Sequence, residues 1–250
     1  MEDIRFSVII PTCDRPEYVR EAVDSVLAQT YLPHQIIVID NGRLPLEQDS
    51  LPSSSVLGVV RALPRFGVSQ ARNLGSVLAT GTHLAFLDDD DRWDTGYLEA
   101  VADTLEDRPD ASVVLGRLRR LSDQEPIEGK QAEFSDEADL VKKLLARNPG
   151  TGGSNTTVAK DAFAMSPGYD PWLITNEDKA LVLEMLLRGG KVVRANDAWV
   201  EFRDDQSGER LTDDRNRAVG KWRFTCKYWA LMPWKVRFFN LMWVIVLRLR

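Results

Sequence analysis

The chain has 250 residues, of which 44% are hydrophobic and 28% are charged. This composition is typical of a globular protein and excludes a disordered chain, which contains far fewer apolar residues. Ordinary glycine and proline contents, without a sustained heptad repeat, also exclude collagen-like and coiled-coil rods. A chain of this length is expected to form one large α/β domain, or a domain with a tail, around its own core.

Cysteine content and the amino terminus predict the cellular compartment. The two cysteines, Cys13 and Cys226, are too few for a disulfide framework and fit a reducing environment. The first ten residues, MEDIRFSVII, have neither the basic flank nor the small-residue cleavage site of a signal peptide. We therefore expect a cytoplasmic protein.

Charge is distributed unevenly along the chain. The formal net charge is −6, from 32 basic and 38 acidic side chains. Residues 215–250 contain nine basic and no acidic side chains, which leaves a net charge of −15 on residues 1–214. The same tail contains four of the seven tryptophans. The acidic body and the lack of a groove-reading motif argue against nucleic acid as a partner.

The sequence leaves two interpretations of this basic, tryptophan-rich tail. Residues 238–247 are apolar apart from Asn240, a run too short to span a bilayer, which takes about 20 residues. Tryptophan flanked by lysine and arginine is typical of a helix on an anionic membrane surface, which predicts a peripheral protein on the cytoplasmic face. The alternative is a helix that packs on the body with its basic side chains near acidic ones.

In the first 115 residues, apolar runs alternate with helical periods, which predicts a parallel sheet with crossover helices. Predicted strands cover residues 6–10, 36–39, 56–60, 83–87 and 112–115. Apolar residues at helical spacing predict helices near 19–27, 71–78 and 98–105. Asp14 and Ser69 occupy the expected N-caps of the first two helices, and Gly81 occupies the expected C′ position of the second.

The second half is less regular. We predict, in chain order, a polar connection at 120–136, a short helix near 140–145, a mobile loop at 148–156, a helix capped by Thr175 or Asn176 and stopped at 189–190, and short strands at 191–194 and 199–202.

Four consecutive aspartates, Asp88 to Asp91, follow the fourth predicted strand. Like charges at this spacing repel one another, and a divalent cation bound by oxygen ligands relieves that repulsion. Ligands bind beyond the carboxyl ends of parallel strands, so this run and Asp40, which ends the second strand, are expected at a binding edge. A solvated turn is the alternative for an isolated acidic run.

A second pair of carboxylates, Glu177 and Asp178, stands at the start of a predicted helix. Acidic residues in a first turn interact favourably with the helix dipole, and this alone would explain the pair. The functional interpretation makes one of them a general base.

Four segments together resemble the family-2 glycosyltransferases, inverting enzymes of the GT-A fold that use nucleotide-activated sugars. The segments are SVIIPTCDRP at 7–16, VIDNG at 38–42, GVSQARNLG at 67–75 and FLDDDDRW at 86–93. Their order and spacing match the family, and the sequences GGSN at 152–155 and NED at 176–178 extend the likeness.

The resemblance implies a GT-A-like, Rossmann-type, mostly parallel sheet flanked by helices in a single α/β domain at 1–214. Residues 1–115 would form its nucleotide-binding half and 116–214 its acceptor-binding half. The basic aromatic tail, residues 215–250, would follow as helix.

The resemblance also implies which residues hold the nucleotide. Pro11, Thr12 and Asp14 would lie along it. Asp40 would accept a hydrogen bond from a uracil or thymine base. Arg72 would face the nucleotide or its diphosphate.

The same comparison implies the metal and catalytic residues. Asp88 and Asp90 would form a D-x-D element, with Asp90 the main ligand of Mn²⁺ or Mg²⁺ and Asp88 the second metal residue. Asp88 and Asp89 would also lie near the ribose. Asp178 would be the catalytic base, and Glu177 would support the base or the acceptor.

The expected reaction moves a sugar, with inversion, from a nucleoside diphosphate sugar to a hydroxyl group of a glycan or lipid-linked acceptor, as in polysaccharide biosynthesis. A UDP-sugar is the first choice of donor. Two alternatives stay open: a nucleotidyltransferase or phosphohydrolase that uses the same metal site, and a non-catalytic module that binds sugar nucleotides or glycans.

The chain departs from the family pattern in two places. The frequent Asp-Asp-Gly-Ser after the second strand is Asp40-Asn-Gly-Arg43 here. Many members have Tyr-Arg-x-His where this chain has residues 202–205, Phe-Arg-Asp-Asp. Either Asp205 replaces the family's histidine as an oxygen ligand, or that role is absent.

Overall fold

The structure, a computed structural model, describes residues 3–127, 132–203 and 214–249. The strands are β1 (Phe6–Thr12), β2 (Gln35–Asp40), β3 (Leu57–Arg61), β4 (His83–Phe86), β5 (Arg92–Trp93), β6 (Ala111–Arg120), β7 (Thr156–Ala159) and β8 (Lys191–Phe202). The helices are α1 (Pro16–Leu27), α2 (Val68–Leu78), α3 (Tyr97–Asp107), α4 (Glu137–Ala146), α5 (Lys160–Ala164), α6 (Glu177–Leu187), α7 (Asp214–Lys227) and α8 (Trp234–Leu249). Short 3₁₀ turns cover Gln48–Ser50, Gly153–Asn155 and Trp229–Leu231.

The described strands form one mostly parallel sheet in the order β3-β2-β1-β4-β7-β6-β8-β5. Only β5 and β7, among these strands, run opposite to the others. β1 pairs in parallel with β2 on one side and with β4 on the other. The strand order therefore reverses at β1, and in open α/β sheets ligands bind beyond the carboxyl ends of the strands at such a point. The predicted site residues lie at these strand ends: Thr12 ends β1, Asp40 ends β2, and the aspartate run, Asp88 to Asp91, follows β4.

Apolar side chains cover both faces of the sheet. α1 and α3 pack on one face, where Val19, Val23 and Val26 are fully buried, as their helical spacing predicts. α2, α4, α6 and α7 pack on the other face. The predicted α/β fold class and the predicted strands of the first half are confirmed, apart from shifts of one or two residues and the longer extent of β6.

The predicted N-cap of α1 is wrong. Asp14 has a left-handed backbone (φ 57°), and Arg15 occupies the cap position before Pro16. The Asp14 carboxylate instead accepts a hydrogen bond from the backbone N–H of Arg43, at 2.7 Å. Asp14 thus contacts the turn after β2 rather than its own helix.

Both predicted ends of α2 are also wrong. The helix begins after Gly67, whose φ of 94° suits glycine, so Ser69 lies inside the first turn. α2 ends at Leu78, before the expected C′ position. Gly81 has a different role, because a Cβ there would overlap the backbone of Arg5.

The segment 148–156, predicted to be a mobile loop, is largely buried and well hydrogen-bonded. Ser154 and Asn155 are buried, and the Asn155 amide donates to the carbonyl groups of Gly116 (2.7 Å) and Gly150 (2.8 Å). Its polar side chains satisfy backbone groups of the core instead of facing water, which the composition alone does not reveal.

The end of the domain differs in two further ways. The two short strands predicted at 191–194 and 199–202 are one strand, β8, which pairs in parallel with β6 across an irregular register. Asn176, one of the two expected caps of α6, occupies the N-cap position. It has a left-handed backbone (φ 70°) and makes no side-chain cap hydrogen bond.

The tail helices pack on the body. Phe224 and Tyr228, from α7 and its end, belong to the same apolar cluster as α6. α8 buries Asn240, Val244 and Leu247 on one side. In the part of the chain that the structure describes, no helix is both long and apolar enough to cross a membrane.

Candidate active site

A buried arginine joins carboxylates from two distant parts of the chain. The Arg72 side chain, on α2, is 2% exposed. Its Nη1 donates to Asp178 (2.9 Å) and Glu177 (3.2 Å) in the first turn of α6, and its Nη2 donates to Asp88 (2.5 Å) after β4. We call these four residues the Arg72 cluster. The guanidinium carbon also lies 4.9 Å from the centre of the Tyr169 ring.

Burial and charge determine the protonation of this cluster. Burial acts to lower the pKa of Arg72, but Asp88, Asp178 and Glu177 hold it well above its ordinary value. Burial, reinforced by repulsion from Asp178, raises the pKa of Glu177 from 4.5 to about 8. Glu177 therefore carries a proton at neutral pH. The Asp178 side chain is 18% exposed, twice as much as that of Glu177, and is the more accessible carboxylate.

The four consecutive aspartates divide into two kinds. Asp89 and Asp91 are buried. The side chains of Asp88 and Asp90 are 31% and 26% exposed. This alternation leaves the two residues of the predicted D-x-D element as the carboxylates that an incoming ligand can reach.

The buried aspartates connect neighbouring segments. Asp89 accepts from the Thr12 hydroxyl (2.8 Å) at the end of β1, and Arg15 pairs with it at 3.3 Å. Burial, together with repulsion from Asp90, raises the pKa of Asp89 to about 7. Arg15 also pairs with Asp90, at 3.0 Å. The Arg15 guanidinium therefore already pairs with this acidic edge in the absence of ligand.

Asp91 ties the aspartate run to the second half of the chain. Its carboxylate accepts from the Ser154 hydroxyl and from the backbone N–H of Arg203, at 3.0 Å. Burial, with repulsion from Asp90 and Asp88, raises its pKa well above the ordinary value.

The turn at 153–155 packs directly on the Arg72 cluster. The Ser154 hydroxyl accepts from the backbone N–H of Asp88 (3.2 Å), and its carbonyl accepts from the Trp93 indole (2.7 Å). A Cβ at Gly153 would overlap the Arg72 guanidinium and lie 2.6 Å from the Asp88 carboxylate oxygens. Only glycine fits at this point of contact.

Asp40 is committed to hydrogen bonds within the protein. Its carboxylate accepts from the backbone N–H groups of Gly42 (2.9 Å) and Leu46 (2.8 Å) and from Arg61 (2.7 Å). A carboxylate has about four acceptor positions, so one is left for a base. The arrangement fixes the turn after β2, and the base contact stays a prediction.

The other predicted nucleotide residues lie beside Asp40. Pro11 and Thr12 end β1, and Thr12 is the register partner of Asp40 in β2. Asp14 is partly exposed next to them. The structure thus places all the predicted nucleotide residues at the carboxyl edge of β1, β2 and β4, except Arg72, which lies buried behind Asp88.

Sequence reasoning gave no supporting role to four residues that the structure places at this site. Arg61 and Arg15 neutralise predicted site carboxylates, Tyr169 packs on the Arg72 guanidinium, and Asp91 anchors the aspartate run. Arg15 lies within the quoted segment 7–16, so the motif contained a signal for it. Arg61 and Tyr169 stand in no motif, and only the folded chain brings them here.

The exposed carboxylates fit a divalent cation that arrives with phosphate groups. The described residues contain no preformed group of three or more histidine, cysteine, aspartate or glutamate ligands. Mg²⁺ usually takes one or two protein carboxylates and completes its shell with water and substrate phosphates. Asp88 and Asp90 match that number. Asp205, the suggested substitute for the family's histidine, lies outside the described residues.

Similar solved structures identify the class of fold. TarS from S. aureus, residues 1–349 in complex with UDP-GlcNAc, has a TM-score of 0.67 and 16% identity, over 90% of this chain and 66% of that one. The mannosyltransferase PcManGT from Pyrobaculum calidifontis, in complex with GDP-Man and Mn²⁺, has a TM-score of 0.66 and 17% identity, over 91% and 64%. The sheet and its helices are those of the GT-A glycosyltransferases.

Sequence comparison then gives the family. The profile described as "Glycosyl transferase family 2" matches residues 7–164. The glucosyl-dolichyl phosphate glucuronosyltransferase of Haloferax volcanii is 30% identical over 228 residues, which cover 86% of this chain and 68% of that protein. The putative teichuronic acid biosynthesis glycosyltransferase TuaG of Bacillus subtilis is 25% identical over 89% of this chain and 85% of its own length. The chain belongs to glycosyltransferase family 2 and is a glycosyltransferase. It spans 39% of the longer TarS chain.

Proposed function

We propose that this glycosyltransferase moves a sugar, with inversion, from a UDP-sugar to a hydroxyl group of a glycan or lipid-linked acceptor. The observation that carries the proposal is the Arg72 cluster. It holds Asp88, on the donor side, and Asp178, on the acceptor side, on one buried guanidinium. The structural similarity to proteins in complex with UDP-GlcNAc and GDP-Man supports a nucleotide sugar as donor.

The donor binds at the carboxyl edge of the sheet. Pro11, Thr12, Asp14 and Asp40 line the nucleotide there, and Asp89 holds Thr12 in place. Asp90 and Asp88 would hold Mn²⁺ or Mg²⁺, which would supply positive charge to stabilise the departing diphosphate. A complex of the similar mannosyltransferase with Mn²⁺ supports the choice of metal.

Asp178 is the general base of the proposed reaction. Arg72 orients one of its oxygens, whereas burial raises the pKa of Glu177 and favours its protonated form, which leaves the base role to Asp178. Asp178 takes the proton of the acceptor hydroxyl as that oxygen bonds to the anomeric carbon. The bond to the diphosphate oxygen breaks on the opposite face, so the anomeric centre inverts.

Replacement of Asp178 tests this mechanism. We expect Asp178→Asn to lower the transfer rate at least about 100-fold, because general-base catalysis typically contributes that much or more. The affinity for UDP with Mn²⁺, measured by calorimetry, should change little. Asp161→Asn, an exposed aspartate on α5, is the matched control.

Product analysis distinguishes the reaction classes. Released nucleoside diphosphate supports sugar transfer, whereas pyrophosphate or nucleoside monophosphate would support a nucleotidyltransferase or phosphohydrolase. An unchanged transfer rate in Asp178→Asn would remove Asp178 from the base role. No turnover with any donor would favour a binding module.

The second part of the proposal places the enzyme at the cytoplasmic face of a membrane through its tail. α8 exposes an apolar stripe opposite its buried side: Trp234, Phe238, Met242, Ile245 and Leu249. Lys235, Arg237 and Arg248 flank this stripe. Sixteen residues make a helix of about 24 Å, shorter than the bilayer core of about 30 Å, so the helix would lie in the interface.

A further inference from the structure

Two lysines, one in the first turn of α6 and one on α7, are buried without a carboxylate partner among the described residues. Lys179 is 1% exposed, and within the described residues its ammonium contacts the ring of Phe224, at 3.7 Å from the centroid, and no hydrogen-bond acceptor. Lys221, on α7, is 8% exposed. Lysine is almost never buried to this degree unless it is paired, because an ammonium group loses its hydration.

Helix capping explains only part of this arrangement. The Lys221 ammonium donates to the carbonyl oxygen of Ala146 (3.2 Å) at the end of α4, and Asn240 donates to the neighbouring carbonyl of Leu145 (3.1 Å). An ammonium group has three donors, so Lys221 retains two that contact no acceptor among the described residues. Lys179 caps nothing that the structure describes, and packing alone would be served as well by methionine.

The electrostatic environment of the two lysines is that of a site for an anion. Burial, with repulsion from Lys221, lowers the pKa of Lys179 well below its ordinary value. Burial and the nearby Arg147 lower the pKa of Lys221 to about 8. An anion between these groups would restore their charged forms and offset the cost of burial.

The position of the pair assigns it to the acceptor side. Lys179 directly follows Asp178 on α6. α7 lies so close to the start of α6 that a Cβ at Gly220 would overlap Thr175. Lys221 is therefore held beside the same helix end as the proposed base.

A further basic side chain lies between this pair of lysines and the tail helix α8. Arg147, exposed at the end of α4, lies 5.6 Å from the ring of Phe239 on α8. Basic side chains thus extend from the buried Lys179 through Lys221 and Arg147 to the helix whose apolar stripe is proposed to contact a membrane.

We propose that Lys179 and Lys221 bind a phosphate group carried by the acceptor. The inference rests on the proposed function, since it names the acceptor class of the same site. The two ammonium groups match the two negative charges of a phosphate monoester, while the acceptor hydroxyl lies at Asp178. The phosphate could belong to a lipid or to a glycan, and the neighbouring tail favours the lipid.

Direct binding measurements test the inference without turnover. The probes are octyl phosphate, glucose 1-phosphate and, as the neutral control, octyl glucoside. Each is titrated by calorimetry into the full chain in the presence of EDTA, which removes divalent metal from the aspartates. The variants are Lys179→Met and Lys221→Met, and Lys142→Met, an exposed lysine on α4, is the matched control.

We expect octyl phosphate to bind the wild type and Lys142→Met equally and each of the other variants at least tenfold more weakly. Octyl glucoside should bind none of them measurably. Binding of octyl phosphate alone identifies a lipid source, and equal binding of glucose 1-phosphate shows that the phosphate suffices. Thermal unfolding checks folding, and Lys221→Met carries the test if Lys179→Met does not fold.

The inference is overturned if neither phosphate binds the wild type, or if Lys221→Met, once folded, binds as tightly as the wild type. That result, together with wild-type release of nucleoside diphosphate from a donor, would leave the proposed function intact. Conversely, phosphate binding without any sugar transfer would overturn the proposed function only.

Discussion

The Arg72 cluster gathers three carboxyl groups around one guanidinium, and that imbalance determines its chemistry. One positive charge does not neutralise Asp88, Glu177 and Asp178 together in a buried site. The proton held by Glu177 relieves the excess of negative charge. Glu177 is thus the neutral acid of the cluster, and the proposed function uses Asp88 as a metal residue and Asp178 as the base.

This protonation predicts how stability depends on pH. The folded protein keeps the Glu177 proton up to about pH 8, and the unfolded chain loses it near 4.5, so the folded state binds more protons between these values. The contribution of Glu177 is therefore fully present below pH 4.5 and is lost as the pH rises through 8. Glu177→Gln, which is always neutral, should lack this loss.

Urea unfolding in EDTA from pH 5 to 9 measures the effect. We expect Glu177→Gln to gain stability relative to the wild type as the pH rises, by on the order of 4 kcal/mol. Glu137→Gln, an exposed glutamate in the first turn of α4, should follow the wild type. Parallel curves for wild type and Glu177→Gln would show that Glu177 is ionised in the folded protein.

At the scale of elements, the sequence predicted the strands that carry the site better than the helix ends beside it. Long apolar runs determine a strand because they must be buried, and each run is followed by the acidic residue that the site uses. The caps failed because Asp14 and Ser69 make tertiary contacts, with Arg43 and, weakly, with Asp170 at 3.5 Å, that local sequence does not encode.

The turn at 153–155 shows a second reason for failure. Its composition is that of an exposed loop, yet its hydrogen-bonding groups satisfy Asp88, Asp91 and Trp93 in the interior. A polar residue is predicted to be exposed only if the interior offers it no hydrogen-bond partner. The family resemblance identified the motif residues, but only the structure shows that they are buried.

Gly153 offers a test of this contact. Gly153→Ala would press a methyl group against Arg72 and Asp88, so we expect a loss of about 1–3 kcal/mol in unfolding free energy and weaker binding of UDP with Mn²⁺. Gly152→Ala is the matched control, because a Cβ there meets only the Asn155 side chain, at 3.4 Å. Equal stability of the two variants would mean that the turn moves aside freely.

For the whole molecule, ligand binding should appear as added stability. A ligand that binds only the folded state stabilises it by mass action, by about 2.7 kcal/mol at 100 times its Kd. We expect UDP to raise the unfolding temperature more with Mn²⁺ than with EDTA, because Asp88 and Asp90 alone form an incomplete metal site. A shift that does not depend on the metal would argue against a metal-assisted reaction. GDP and dTDP in the same series would identify the base.

The tail makes a prediction for the whole molecule as well. Replacement of Trp234, Phe238 and Met242 with serine removes three exposed apolar side chains from one stripe of α8. We expect this variant to lose co-sedimentation with vesicles of phosphatidylglycerol and phosphatidylcholine, and added salt to weaken wild-type binding. Truncation at residue 214 is a poorer test, because α7 contributes core residues.

The matched control carries three serine replacements at other exposed apolar positions: Leu32, Leu63 and Val77. It should bind vesicles like the wild type. If the α8 variant also co-sediments like the wild type, the tail does not bind the membrane through this stripe and only packs on the body.

The ion pairs of Arg72 connect the two halves of the chain, since the guanidinium comes from before residue 115 and two of its three carboxylates come from beyond it. A hybrid enzyme built by joining the first half of one family member to the second half of another would inherit this junction. Unless both parents supply matching charges, the hybrid would contain a buried ion without its counterion, at a cost of roughly 3–5 kcal/mol. Recombination that exchanges acceptor preference among such enzymes must therefore preserve the buried ion pairs between the arginine of one half and the carboxylates of the other.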